Sequence, residues 1–166
     1  PAEEAGWPEP VDAFDAPAAE LREARVEALT EDVRDVIGVT DIDPETVRVY
    51  VAADWKRDVF DAVCEAGADV GAAMSEAMSD PDLRERGDAV NGLVQELVGF
   101  ARGREDEELA ALAELDEHAA YADATEFLAR EFDAEVEVYT EDDAEIVDPA
   151  DKAEQAVPFR PAIHIE

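Results

Sequence analysis

Thr46-Val47-Arg48-Val49-Tyr50-Val51-Ala52-Ala53-Asp54-Trp55-Lys56 changes period part-way along. From Thr46 to Val51 the side chains alternate. Val47, Val49 and Val51 face one way; Thr46, Arg48 and Tyr50 face the other. A period of two with β-branched content predicts a strand. Asp54 then suits a helix cap, and Trp55, Val59, Phe60 and Val63 recur at helical spacing to about Ala66, with Gly67 as the stop. One strand therefore runs directly into a helix.

Two more strands follow the same logic. Val136, Val138 and Thr140 alternate with Glu137 and Tyr139. The last ten residues, Val157-Pro158-Phe159-Arg160-Pro161-Ala162-Ile163-His164-Ile165-Glu166, are apolar and braced by two prolines, and they close on an alternating stretch. Most tails are polar and frayed. This one predicts a last strand, a segment presented to a partner, or both.

Helical spacing fills the rest. Residues 1–16, with Pro1, Gly6, Pro8 and Pro10, read as a linker whose Trp7 docks on neighbouring structure. A helix is expected from Pro17 to Gly38, with Leu21, Val26, Leu29, Val33, Val36 and Ile37 inward. A short helix over 70–78 buries Met74, Ala77 and Met78. Asp80-Pro81 restarts the chain as the longest helix, ending by Gly103, with Leu83, Val90, Leu93, Val94, Leu97 and Val98 on its core face. Gly87, Gly92 and Gly99 each lower its propensity by about 1 kcal/mol against alanine, which predicts close packing there. Helix is expected again from 105 through Leu109 and Leu112, then over 119–132 with Ala120, Ala124, Phe127, Leu128 and Phe132 inward. Asp148-Pro149 opens a short helix through Ala156. The sum is an α+β domain at 17–166: a small three-stranded sheet packed with about six helices, preceded by the linker. Strand order stays open.

The 166 residues suit one domain, and 47% hydrophobic content supplies a core. There are 46 acidic and 13 basic residues, giving a net charge of −33. Lys56 and Lys152 are the only lysines. The acids are spread along every predicted element, which points to adaptation to molar salt, where the Debye length is roughly 3 Å. The rival reading is an acidic region that solvates or mimics nucleic acid. Cys64 is the one cysteine, at a core spacing, so a disulfide or zinc framework within the chain is ruled out. A reduced, intracellular compartment fits. No apolar run reaches the roughly 20 residues of a membrane span, and the start has no signal-peptide pattern. An initial proline predicts a piece of something longer.

Catalytic patterns are missing. His118 and His164 stand far apart, with no second ligand at metal spacing. His118 reads as exposed. The chain has no Walker A loop, GxGxxG or GxSxG. Glu105-Asp106-Glu107-Glu108 and Glu141-Asp142-Asp143 could hold Mg²⁺ loosely, but a solvated acidic surface explains them.

Six stretches recur in a telling order. They are Gly6-Trp7-Pro8-Glu9; Thr30-Glu31-Asp32-Val33-Arg34-Asp35-Val36-Ile37; Val49-Tyr50-Val51-Ala52 with Asp54-Trp55-Lys56; Met78-Ser79-Asp80-Pro81 with Arg86-Gly87 and Val94-Gln95-Glu96-Leu97-Val98; Thr125-Glu126-Phe127-Leu128 with Phe132; and the tail. Across almost the whole chain, this order and spacing resembles the C-terminal region of archaeal-type leucyl-tRNA synthetases, with the composition of a haloarchaeal one. The resemblance implies a tRNA-binding module that reads the long variable arm of leucine tRNA. Its partners would be that tRNA and the catalytic and anticodon-binding domains of the same chain, in the cytoplasm, with neither membrane nor DNA. The parent would attach leucine to tRNA with ATP and Mg²⁺. The family's HIGH and KMSKS motifs and its editing domain are absent here, so the piece itself would have no catalytic residue, no metal and no cofactor.

Candidate tRNA contacts follow from the tail's chemistry together with that resemblance. They are Phe159 for stacking, Arg160 for stacking or a bidentate bond, and Ile163, His164, Ile165 and Glu166 for backbone donors and acceptors, with Lys152 nearby. Phe159 and Arg160, between the prolines, are expected to face outward. The plainer alternative is that Phe159, Ile163 and Ile165 fill the core and Lys152 makes a local salt bridge. A protein-docking or self-association domain is the competing function.

Overall fold

The computed structural model describes residues 9–166, with side chains from residue 18 onward. Among these residues, eight helices and a three-stranded mixed sheet form the expected α+β fold. The alternating Thr46–Val51 segment is β1, the middle strand. β2 (Glu135–Thr140) lies parallel to it, with Val47 beside Val136. β3 (Ala162–Ile165) lies antiparallel on the other side, with Val47 opposite Ile165. A parallel pair needs a long crossover. Here the crossover is seven helices: α2 (Asp54–Glu65), α3 (Val70–Ala77), α4 (Pro81–Glu85), α5 (Gly87–Ala101), α6 (Asp106–Glu114), α7 (Glu117–Asp123) and α8 (Thr125–Phe132). α1 (Glu9–Thr40) precedes β1.

Two hydrophobic cores result. The first is helical and gathers Val59, Phe60, Val63, Leu83, Val94, Leu97 and Leu112, together with Phe159 from the tail. The second lies under the sheet. Leu29 and Val33 of α1, Tyr121 of α7 and Leu128 and Phe132 of α8 meet Val47, Val49 and Val51, with Ile163 and Ile165 against them. Each fully buried aliphatic or phenyl side chain contributes roughly 1.5–3 kcal/mol.

Several boundaries differ from expectation. α1 begins at Glu9, so Pro17 lies inside it; residues 1–8 of the expected linker, with Trp7, fall outside the described residues. The helix also passes Gly38. Asp41, at φ +54°, takes the left-handed role after the helix, and its N–H reaches the Ile37 carbonyl at 2.8 Å. Val36 is exposed rather than inward. Asp80 does cap the next helix, accepting the Asp82 N–H at 2.8 Å. That helix breaks at Arg86 (φ −94°, ψ 5°), however, so α1 is the longest helix described. Nothing lies within 4 Å of where a Cβ would sit on Gly87, Gly92 or Gly99, so close packing does not explain these glycines.

The 119–132 helix is likewise two pieces, α7 and α8, broken at Ala124 (φ −95°, ψ 3°), and Phe127 points out at 47% exposure. After Asp148-Pro149 only a 3-10 turn forms, Ala153–Gln155. The Asp148 carboxylate accepts the N–H groups of Lys152 and Ala153, both at 2.9 Å, and closes a loop instead of starting a helix. That loop covers Tyr50, whose hydroxyl donates to the Val147 carbonyl at 2.6 Å, so Tyr50 is buried although it sits on the polar face of β1. Trp55 is half-buried under the Arg86 guanidinium, 4.7 Å from its ring. His118 is half-buried as well.

Candidate nucleic-acid interface

The tail is built in two parts. Val157-Pro158-Phe159-Arg160 is a tight turn closed at both ends: Val157 N–H donates to the Arg160 carbonyl at 3.1 Å, and Arg160 N–H to the Val157 carbonyl at 2.9 Å. Pro158 fixes the second position. Phe159, at φ +67°, occupies the third in the left-handed region, where glycine or asparagine is usual. A phenylalanine stays there only if its surroundings over-determine it.

They do so from several sides. The Phe159 ring meets Phe60 edge-on at 4.8 Å and stacks on Phe100 at 5.5 Å. The Arg57 guanidinium lies 5.6 Å from the ring. Phe159 N–H donates to Glu117 Oε1 at 3.0 Å, and the Phe159 carbonyl accepts from Arg25 Nη1 at 3.5 Å. At 6% exposure, Phe159 faces inward, contrary to expectation. The left-handed backbone turns its ring into the helical core, so stacking on a base is closed to it in this conformation.

Glu117 has no exposed surface. Its second oxygen accepts the Tyr121 hydroxyl at 2.8 Å. Burial pushes its carboxyl above the usual carboxylate range, opposed by the Phe159 N–H, the Tyr121 hydroxyl and the charges of Arg57 and Arg25. Arg57 also donates to the carbonyls of Ala113 and Leu115, at 3.2 and 2.7 Å, tying the end of α6 to α2. Sequence reasoning passed over Glu117. Its only signal is a place in the first turn of a helix capped by Asp116, whose carboxylate accepts the Ala119 N–H at 3.0 Å.

Pro161 is buried, and the strand after it, Ala162–Ile165, is half-exposed. The Arg160 side chain is 70% exposed and pairs with Glu96 of α5 at 2.6 Å. An exposed pair of this kind contributes little, so the guanidinium is available for exchange. Together with Leu97, Phe100 and Val157 it rims an open pocket of about 430 Å³. A larger groove, about 680 Å³, lies elsewhere, between α1 and the α7–α8 pair.

β3 is one edge of the sheet and β2 the other; β3 is bonded on one side to β1 among the described residues. Glu166 and Thr46 exchange both backbone bonds, at 2.9 and 3.1 Å. In an antiparallel ladder, bonded and non-bonded pairs alternate. With Ile165 opposite Val47 and Ile163 opposite Val49, both isoleucines fall on non-bonded pairs. Their N–H and C=O groups therefore point away from β1, along the open edge, while their side chains pack on the second core.

His164 and Glu166 lie on the other face. There Arg48 bridges all three strands, bonding Glu137 at 2.9 Å and Glu166 at 2.7 Å. The hydrogen bond from Arg48 holds the Glu166 carboxyl below its ordinary range. His164 Nε2 stands 3.6 Å from the same carboxylate. Lys152 is half-buried in the turn that packs against β3. The buried cation is the other lysine: Lys56 Nζ bonds Glu141 and the carbonyls of Glu154 and Ala156, at 2.9, 2.9 and 2.7 Å, and so stitches the approach to the tail onto α2.

Among the described residues, no three acidic, histidine or cysteine side chains are placed to hold a metal ion. Burial pushes the half-buried Cys64 thiol up to about 11, helped by Asp61 and Glu65, so it stays protonated and unreactive. No described helix is long and apolar enough to cross a membrane.

No family model matches the chain. Sequence relatives do. A leucine–tRNA ligase of Methanosarcina barkeri is 35% identical over 154 residues, 89% of this chain and 16% of the relative. The ligase of Pyrococcus abyssi is 32% identical over 163 residues, 98% of this chain and 16% of the relative. That of Methanothermobacter thermautotrophicus is 26% identical over 167 residues. Its homologues are archaeal leucine–tRNA ligases. The match falls in their C-terminal region, and this chain spans about a sixth of their length.

Proposed function

We propose that this chain is the tRNA-reading C-terminal module of a leucine–tRNA ligase and that its contact is the long variable arm of leucine tRNA. The observation that carries the reading is the open edge of β3, with the backbone groups of Ile163 and Ile165 turned outward beside an exposed Arg160. A net charge of −33 repels phosphate. Affinity then cannot rest on counterion release. It rests on shape and on directed bonds to unpaired bases, the usual route to sequence-specific RNA reading. Rigid backbone donors and acceptors suit that task. His164, Glu166 and Lys152 flank the edge and complete the candidate contacts. The parent ligase would supply ATP- and Mg²⁺-dependent leucylation from its other domains, in the cytoplasm of a halophile, where molar salt screens the acidic surface.

Deletion of Ile163–Glu166 from the full-length ligase tests this. Leucylation should fall through weakened tRNA binding, with ATP–pyrophosphate exchange near normal. Equal loss of both activities would contradict the reading. An open strand edge also pairs with other strands, which favours protein docking or self-association as the second reading. Binding measured at molar KCl separates the two. Saturable binding of leucine tRNA, lost on trimming the variable arm, supports the first. Absence of RNA binding, with concentration-dependent self-association of the chain, supports the second.

A further inference from the structure

The tail's open edge is only as well aimed as the turn that delivers it. That turn hangs on one residue in an unfavourable conformation, Phe159 at φ +67°. Hydrophobic burial of its ring is non-directional and fixes depth, not backbone angle. The directional contacts are the hydrogen bonds to its peptide groups. The N–H bond to Glu117 is the shorter, at 3.0 Å against 3.5 Å for the carbonyl bond from Arg25. Glu117 is itself fixed by the Tyr121 hydroxyl at 2.8 Å and by complete burial. It stands on α7, whose Tyr121 belongs to the core beneath the sheet, while the Phe159 ring belongs to the helical core. The Glu117–Phe159 bond thus links the two cores at the point where the chain passes from one to the other.

We infer that Glu117 is a positioning residue for RNA recognition: it holds Phe159 left-handed, and that backbone aims Arg160 and the β3 edge. The inference rests on the proposed tRNA-reading function and adds to it a buried residue that touches no RNA. Without the carboxylate, the Phe159 N–H is buried and unbonded, and its cheapest relief is to leave the left-handed region. The turn then opens, Arg160 swings, and β3 approaches β1 from a different direction. Binding must re-order the tail each time, which lowers affinity without touching the catalytic step.

The test uses the full-length ligase at molar KCl. Glu117→Ala should raise KM for leucine tRNA on the order of tenfold, the size of about one lost hydrogen bond of pre-organisation. Leucylation kcat and ATP–pyrophosphate exchange should not move. Glu117→Gln, which still offers the Phe159 N–H an oxygen, should restore KM to near wild type. Val94→Ala, a cavity in the helical core away from the turn, serves as the stability control and should leave KM within about twofold. If Glu117→Ala lowers the folded fraction, Glu117→Asp, which withdraws the carboxylate by one methylene, carries the same expectation.

An unchanged KM in the alanine and aspartate variants would overturn the inference, as would an equal rise in Val94→Ala. Deletion of Ile163–Glu166, run in parallel, identifies which idea failed. If the deletion raises KM and the Glu117 variants do not, the tRNA-reading function stands and Glu117 has no part in it. If neither raises KM, the function itself fails and the inference with it.

Discussion

The turn and the strand of the tail are adjacent in sequence and opposite in character. Val157–Arg160 is held from several sides: two backbone bonds across the turn, a ring in an aromatic cluster, a buried carboxylate on its N–H and an arginine on its carbonyl. Ala162–Ile165 is bonded on one side, and every residue of it is half-exposed. A segment that only completed the fold would have no need of a strained, heavily anchored entrance to a strand open on one edge. The contrast suits a presented element, in which the anchor absorbs the strain so that the edge is ready before a partner arrives.

The most damaging change to this contrast is Phe159→Ala. It empties the space between Phe60 and Phe100 and should destabilise the domain by about 3–5 kcal/mol, read by denaturant unfolding. A loss under about 1 kcal/mol would mean that the ring is not the anchor.

Next comes the pH dependence of Glu117. Burial raises its carboxyl pKa, so the native state holds this proton more tightly than the unfolded chain does. Its ionisation therefore costs stability as pH rises from the ordinary value through the raised one. Wild type should gain stability relative to Glu117→Gln as pH falls from neutrality toward 4.5, the unshifted value. The opposite slope would show that the buried carboxylate is held below the ordinary range by its donors.

The smallest effect on stability belongs to Arg160→Ala. It removes an exposed pair with Glu96 and should change unfolding by no more than about 0.5 kcal/mol, while KM for leucine tRNA rises. A large stability loss would place Arg160 with the anchor instead of with the presented edge.

Much of this fold is legible in the sequence because period survives packing. The valines of β1, the alternation of β2 and the tail's Ile163 and Ile165 all read as strand and are strand. The helix breaks at Arg86 and Ala124 were not legible: neither new helix has a capping side chain, Ala124 has no glycine or proline beside it, and Gly87 after Arg86 reads as one of three glycines within a longer helix. Asp80-Pro81 and Asp148-Pro149 show the limit of a motif. In the first the carboxylate bonds two residues on and starts a helix; in the second it reaches four and five residues on and closes a loop. The dipeptide is the same, and the partners its carboxylate finds differ.

In the candidate site, the outward Arg160 side chain and a terminal strand were legible, but the edge position of that strand was not, because strand order leaves no local mark. Phe159 was misjudged because two flanking prolines suggest a stiff outward display, whereas a left-handed backbone turns the ring inward. Glu117 was invisible for a compositional reason: among 46 acidic residues, a place in the first turn of a capped helix does not single out the one that folding will bury.

In the proposed reading, the outward backbone groups of Ile163 and Ile165 bind RNA. This is tested by replacing those two amides with esters in a semisynthetic full-length ligase. Each ester deletes one N–H and leaves the side chain in place. These N–H groups make no bond to β1, although each ester also weakens the preceding carbonyl, of Ala162 or His164, which faces β1; the melting temperature should therefore fall only slightly while KM for leucine tRNA rises roughly tenfold, at about 0.5–1.5 kcal/mol for each lost bond. An ester at His164, whose N–H faces β1, should do the reverse and lower the melting temperature. An unchanged KM with both outward amides removed would mean that these groups do not bind the RNA.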